Sequence, residues 1–251
     1  MPIHFSRRLT GSTRSPDSNR QLGFVLAFVA GAINAGGFLA VQQYTSHMTG
    51  VVSSMADQLA LGQWELAVAG LGTLLAFIAG AATSAVLVNF SRQRELHARF
   101  ALPLMLEASL LLCFGLVAAR FATDGGQFVA FTVMLLAYMM GLQNAVITKL
   151  SNAEIRTTHI TGIVTDLGIE LGKLVYRNPD ACPPELRVQA SPGRLALLAL
   201  LALFFFGGGI VGALGFKHMG YRATVPLALV LLALASVPIA DDLGRWLRRP
   251  R

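Results

Sequence analysis

Apolar residues run through this chain in long blocks, and the polar residues gather between them. Six blocks reach the roughly 20 residues that a helix needs to cross a bilayer, at about 22–41, 64–90, 101–120, 127–149, 193–216 and 222–241. Two shorter segments, about 45–62 and 157–174, are of another kind. The first holds Thr45, Ser46, His47, Thr49, Ser53, Ser54, Asp57 and Gln58; the second holds Thr157, Thr158, His159, Thr161, Thr165, Asp166 and Glu170. Neither suits a lipid-facing span. Such groups are tolerated at membrane depth only when buried in protein or lining a wet cavity.

The two polar segments carry copies of one phrase. Gly31-x-x-Asn34-Ala35 is followed, thirteen residues after Asn34, by His47-x-Thr49-Gly50. Gly141-x-x-Asn144-Ala145 is followed, fifteen residues after Asn144, by His159-x-Thr161-Gly162. Repetition sets architecture. Six crossings divide into two repeats of three, and an odd number inverts the second repeat relative to the first. The expected fold is all-α: a polytopic membrane protein with six transmembrane helices as two inverted repeats. Each repeat adds a short, polar, broken or re-entrant helix. The expected divisions are a cytoplasmic tail 1–21, a first membrane repeat 22–126, a second 127–241 containing a cytoplasmic linker 176–192, and a cytoplasmic tail 242–251. The small-xxx-small runs Gly80 to Ser84 and Gly208 to Gly212 read as packing seams.

Composition agrees with that class. Of 251 residues, 54% are hydrophobic and 13% charged, about half the charge of a soluble domain. The mean hydropathy is +0.60. A net charge of +7 raises nucleic acid as a partner, but the basic residues lie between apolar blocks and at the termini, with few aromatics beside them. Their placement sets orientation instead. With six crossings and the N-terminus inside, 17 of the 20 Lys and Arg fall on the inner side; Arg120, Lys217 and Arg222 remain outside. That pattern expects both termini on the inner, cytoplasmic side. Ser6-Arg7-Arg8 is too far from the first apolar block, and lacks the cleavage site, for a signal peptide. Cys113 and Cys182 offer neither a disulfide framework nor metal-ligand spacing, and Cys113 reads as a small buried thiol.

The candidate binding residues follow the phrase: Asn34, His47, Thr49, Gly50, Asp57, Asn144, His159, Thr161, Gly162 and Asp166. Histidine titrates near neutral pH, and ionisable groups within a membrane mark functional sites. Thr accepts from the free N–H groups of a helix start, where an anion is also favoured, and Gly permits close approach. The structural alternatives are that each His braces a broken helix and that each Thr-Gly is a helix contact. On a helix His159, Gly162 and Asp166 share a face. In the first copy Gly50, Ser53, Ser54 and Asp57 share one and His47 is displaced, so the match is imperfect, Asp57 lying seven residues after its Gly and Asp166 four. Asn34 and Asn144 suggest a pair across the axis between repeats, with Gln143 a further intramembrane amide. Glu107, early in the third span, is a secondary candidate reaching toward the interface.

Thr45-x-His47-x-Thr49-Gly50, together with Tyr138-Met-Met-Gly-Leu-Gln-Asn-Ala145 followed by Arg156-Thr-Thr-His-Ile-Thr-Gly162, resembles the YoaK family of bacterial inner-membrane proteins of unknown function. The resemblance covers about residues 22–240. It implies a six-span membrane protein and no assigned chemistry. No nucleophile elbow, phosphate loop or zinc-protease motif is present, so an enzyme is not expected, nor a cofactor or metal. The expected function is a secondary transporter or permease of a small polar solute or ion, with the two His-x-Thr-Gly segments as its central site. Lipid is the surrounding partner, and the small-residue seams permit a homodimer. The rival reading is a non-transporting scaffold or sensor in which these segments only hold helices together.

Overall fold

A computed structural model describes residues 9–10, 15–121, 126–151 and 155–247. Of the expected tails, residues 1–8, 11–14 and 248–251 therefore lie outside the described residues. The described chain is all-α, with helices α1 (Pro16–Val41), α2 (Met48–Ala60), α3 (Trp64–Gln93), α4 (Ala101–Phe121), α5 (Gly126–Leu150), α6 (Ile160–Val175), α7 (Pro192–Met219) and α8 (Thr224–Leu247). The long helices are apolar enough to cross a membrane, which makes the chain a membrane-spanning protein. Five apolar stretches meet the length and hydropathy of a span. The fifth, Pro192–Leu247, is 56 residues long and comprises α7 and α8. Gly220, with φ +59°, and a single 3-10 turn, Gly220–Ala223, separate the two helices.

Helix starts follow local chemistry. Ser15 caps α1 by accepting from the Ser18 N–H, Pro16 occupies the first turn, and Asp17 faces the helix N-terminus. The helix thus begins six residues before the apolar block at 22. Ser191 and Pro192 start α7 in the same way. At the other end, α8 runs on to Leu247, past the apolar boundary at 241. Pro238 inside α8 supplies no N–H, and the freed Leu234 carbonyl accepts from the Thr10 hydroxyl at 2.7 Å.

The long helices pack in pairs: α1 on α7, α3 on α5, and α4 on α8. The short polar helices join their neighbours, α2 on α3 and α6 on α7. Helices α1 and α5 also touch, and they hold the centre, where Leu22, Leu26, Ile33, Leu136, Met139, Leu142 and Ile147 are fully buried. Helices α3 and α7 turn large apolar side chains outward, among them Leu75, Ile78, Val86, Leu203 and Leu214, a surface suited to lipid.

The two largest pairings use the same device. A Cβ on Gly31 would overlap the Phe205 carbonyl oxygen, and one on Gly208 would overlap that of Phe28. In the other pair, Gly141 lies against the Phe77 carbonyl and Gly80 against that of Tyr138. Each contact is an aromatic-x-x-Gly step on one helix meeting the same step on its partner. Gly212 extends the first seam onto the Ala32 carbonyl, and Ser84 is fully buried at the corresponding place in the second. The small-residue runs are thus packing seams. Cys113 differs from its expected place: it is exposed on α4 rather than buried, because α4 presents that face outward.

A methyl group at these seams must push two backbones apart, at a cost of about 1–3 kcal/mol or more. Gly141→Ala and Gly208→Ala should each lower the melting temperature of the purified protein. Gly168→Ala, whose Cβ meets nothing within 4 Å, should leave it unchanged or raise it.

Candidate functional site

The loop before each short helix is pinned by an amide of the preceding long helix. The Asn34 carbonyl oxygen accepts from the Ser46 N–H at 3.2 Å and from its hydroxyl at 2.9 Å. The Asn144 carbonyl oxygen accepts from the Thr158 hydroxyl at 2.6 Å, while its amide donates to the Met140 carbonyl. Each Asn therefore bonds within its own half, and the expected Asn34–Asn144 pair does not form. The reason is proximity: Ser46 and Thr158 immediately precede the two histidines and reach the amides first. Thr45 and Thr157, one residue earlier, are both fully buried with unbonded hydroxyls.

Pinned this way, the two histidines adopt one conformation. His47 (φ −94°, ψ 69°) and His159 (φ −82°, ψ 60°) stand at the N-cap positions of α2 and α6, and neither side chain caps its helix. Their imidazoles make no hydrogen bond among the described residues. Both face a chamber of about 970 Å³, lined also by Asn34, Ser46, Thr49, Arg156, Thr158, Thr161 and Gly162. Phe77 of α3 and Phe205, Phe206 and Ile210 of α7 complete its wall, and these positions lie near the middle of their helices.

Two further chambers flank it. One, of about 870 Å³, lies between α2, α3 and α5 and shares Tyr44 and His47 with the central chamber. The other, of about 460 Å³, lies between α6 and α7 and shares Arg156 and Gly162 with it. The flanking chambers use matching positions of the two halves: Tyr44 and Arg156, Gly50 and Gly162, Val51 and Ile163, Ser54 and Asp166, Leu66 and Arg194. The two differ in chemistry. The α2 chamber has no charged lining residue, whereas the α6 chamber has Arg20, Arg156, Asp166 and Arg194.

Of the ten candidates, Asn34, His47, Thr49, His159, Thr161 and Gly162 line the central chamber. Gly50 lines the α2 chamber and lies under the His47 ring. Asn144 is buried behind Thr158. Asp57 is exposed on α2 and lines none of the three chambers. Asp166 accepts from Arg194 at 3.2 Å in the α6 chamber. Glu107 does not reach an interface: it is fully buried, as is Gln143, and no polar side-chain atom of either is bonded. Sequence reasoning passed over Tyr44, Ser46, Arg156 and Thr158. The signal for Ser46 and Thr158 was their shared place before each His; Arg156 counted as an inner-side charge and as part of the family phrase, not as a binding candidate. Among the described residues no three His, Cys, Asp or Glu side chains form a group that could hold a metal.

Glu170 clasps α6 to the start of α7. One carboxylate oxygen accepts from Lys173 at 2.8 Å, the other from the Ser191 N–H at 2.9 Å. The hydrogen bond from Lys173 first, and then that from Ser191, hold its pKa below the usual carboxylate value. A depressed carboxylate stabilises the fold above its unfolded pKa and loses that contribution as pH falls through the folded one. The wild-type melting temperature should therefore fall on acidification below about pH 4.5. Glu170→Gln should melt lower at neutral pH and depend less on acid.

The profile of a family of proteins of unknown function, DUF1275, matches residues 22–237. No curated protein and no solved structure matches the chain. The match reaches into every long helix and covers both polar segments, and the chain belongs to this family of unknown function.

Proposed function

We propose that this protein is a secondary transporter or permease of a small polar solute, built as two inverted three-span repeats in a bacterial inner membrane. The observation that carries the reading is the row of three chambers, with both His-x-Thr-Gly segments facing the middle one. Non-helical backbone at membrane depth is tolerated where it lines such a cavity, and repeat interfaces near the midplane are where transporters of this architecture bind. The break at Gly220 supports counting α7 and α8 as separate crossings, since 56 helical residues would extend about 84 Å against a core of about 30 Å. The positive-inside distribution then puts both termini and the α6 chamber on the cytoplasmic side. The α2 chamber faces outward, so the solute path runs from α2 through the paired histidines to α6.

The Glu170–Lys173–Ser191 clasp, joined by the Asp166–Arg194 pair, closes the cytoplasmic end in this reading. The matching residues near the outer end, Ser54, Leu61 and Gln63, form no such ion pairs. One observation favours the rival scaffold or sensor: the His47 ring covers Gly50, a close contact of the kind that serves packing alone.

The test is uptake into proteoliposomes across a panel of small solutes, followed by solid-supported-membrane currents. His47→Ala and His159→Ala should each reduce the rate at least tenfold while the melting temperature stays near wild type. Unaltered transport in both variants removes the histidines from the site.

A further inference from the structure

The charges along the three chambers are one-sided. No Asp or Glu lines the central chamber, and Arg156 is its one permanently charged lining residue. The α2 chamber has no Asp, Glu, Lys or Arg lining it. In the α6 chamber the one acid, Asp166, already accepts from Arg194. Arg156 makes no hydrogen bond or ion pair among the described residues. Arg156 is exposed to the open chamber with no acid lining beside it, so its guanidinium is free to take a partner anion.

Its position sharpens the point. Arg156 stands at the neck shared by the central and α6 chambers. It lies over the first turn of α6, where a Cβ on Gly162 would be 3.4 Å from Nη1. No side chain caps that turn. The guanidinium and the positive end of a 16-residue helix therefore act on the same space. In the other half Tyr44 occupies the position of Arg156, and the His47 ring rather than a cation covers Gly50. The charge at the neck is thus a property of one half and not of the repeat. The remaining wall, formed by Phe205, Phe206 and Ile210, is apolar.

We infer that the central chamber takes a small organic anion. Arg156 holds its acid group, with the two-pronged geometry that guanidinium offers a planar carboxylate, and the apolar body lies against Phe205, Phe206 and Ile210. This names the substrate class of the chamber proposed above and rests on that reading of the chamber as a binding site.

Four-carbon probes of matched shape test it on the full-length purified protein: butyrate and butanesulfonate as anions, butyramide as neutral, butylammonium as cation, with inorganic phosphate as an anion lacking an apolar body. Thermal stabilisation reports binding, and solid-supported-membrane currents with butanesulfonate report transport. Butyrate and butanesulfonate should stabilise wild type and the linker control Arg177→Gln. Arg156→Gln should weaken both about tenfold or more, and Arg156→Lys should restore part of the loss. Equal stabilisation by butyramide or butylammonium overturns the inference on wild-type protein alone, whatever the variants do. So does anion binding unchanged in Arg156→Gln, or binding of phosphate without butyrate. Stabilisation without current keeps the anion site and removes the transporter reading. Current with butylammonium alone keeps transport and overturns the anion.

Discussion

The close approach of four glycines to four backbone carbonyls is the constraint on which the rest of the structure depends. Gly31 and Gly208 join α1 to α7, and Gly141 and Gly80 join α5 to α3. Within a bilayer there is no hydrophobic gain in bringing apolar helices together, so dispersion and close backbone contact must supply the attraction. Backbones that close leave no room for side chains at the crossing. Asn34 and Asn144 sit one turn beyond Gly31 and Gly141, where they are free to bond the loops before His47 and His159. The seam therefore sets the depth of the histidines as well as the helix pairing.

The seam also explains why the central chamber exists. Helices α2 and α6 are too short and too polar to reach across the bundle, and each packs on one long helix of its own half. Their starts are left facing space that α1, α3 and α7 do not fill. Thr49, Thr161 and the two imidazoles point polar groups into that space, while Phe77 and Phe205, the residues whose carbonyls meet the glycines, supply its apolar wall.

Much of this was legible in the sequence, for a physical reason. Helix periodicity and bilayer thickness act on blocks of about twenty residues, so the long helices could be placed within a few residues of where they lie, except at the start of α1 and the end of α8, where polar turns extend each helix six residues beyond its apolar block. The small-residue runs at Gly80 and Gly208 identified their seams, because a backbone contact demands glycine whatever surrounds it. Pairwise side-chain chemistry was less legible. Asn34 and Asn144 gave no sign of preferring Ser46 and Thr158 to one another, since hydrogen-bond partners are chosen by distances of an ångström. Asp166 and Asp57 both lay on the polar segments, four and seven residues after their Gly, yet one meets Arg194 and the other lies exposed on α2, because Arg194 has Leu66 as its counterpart. Glu107, expected near an interface, is enclosed by packing from other helices that no local pattern encodes.

The central claim is that the starts of α2 and α6 share one water-accessible chamber within the membrane. Cysteine labelling tests it most directly. In a protein lacking Cys113 and Cys182, single substitutions His47→Cys, Thr49→Cys, His159→Cys and Thr161→Cys should all react with a charged, membrane-impermeant thiol reagent. A cysteine at Ile78, on the outward face of α3, should not. Protection of all four positions from reagent on both sides of the membrane would contradict the chamber and leave the two segments as helix packing.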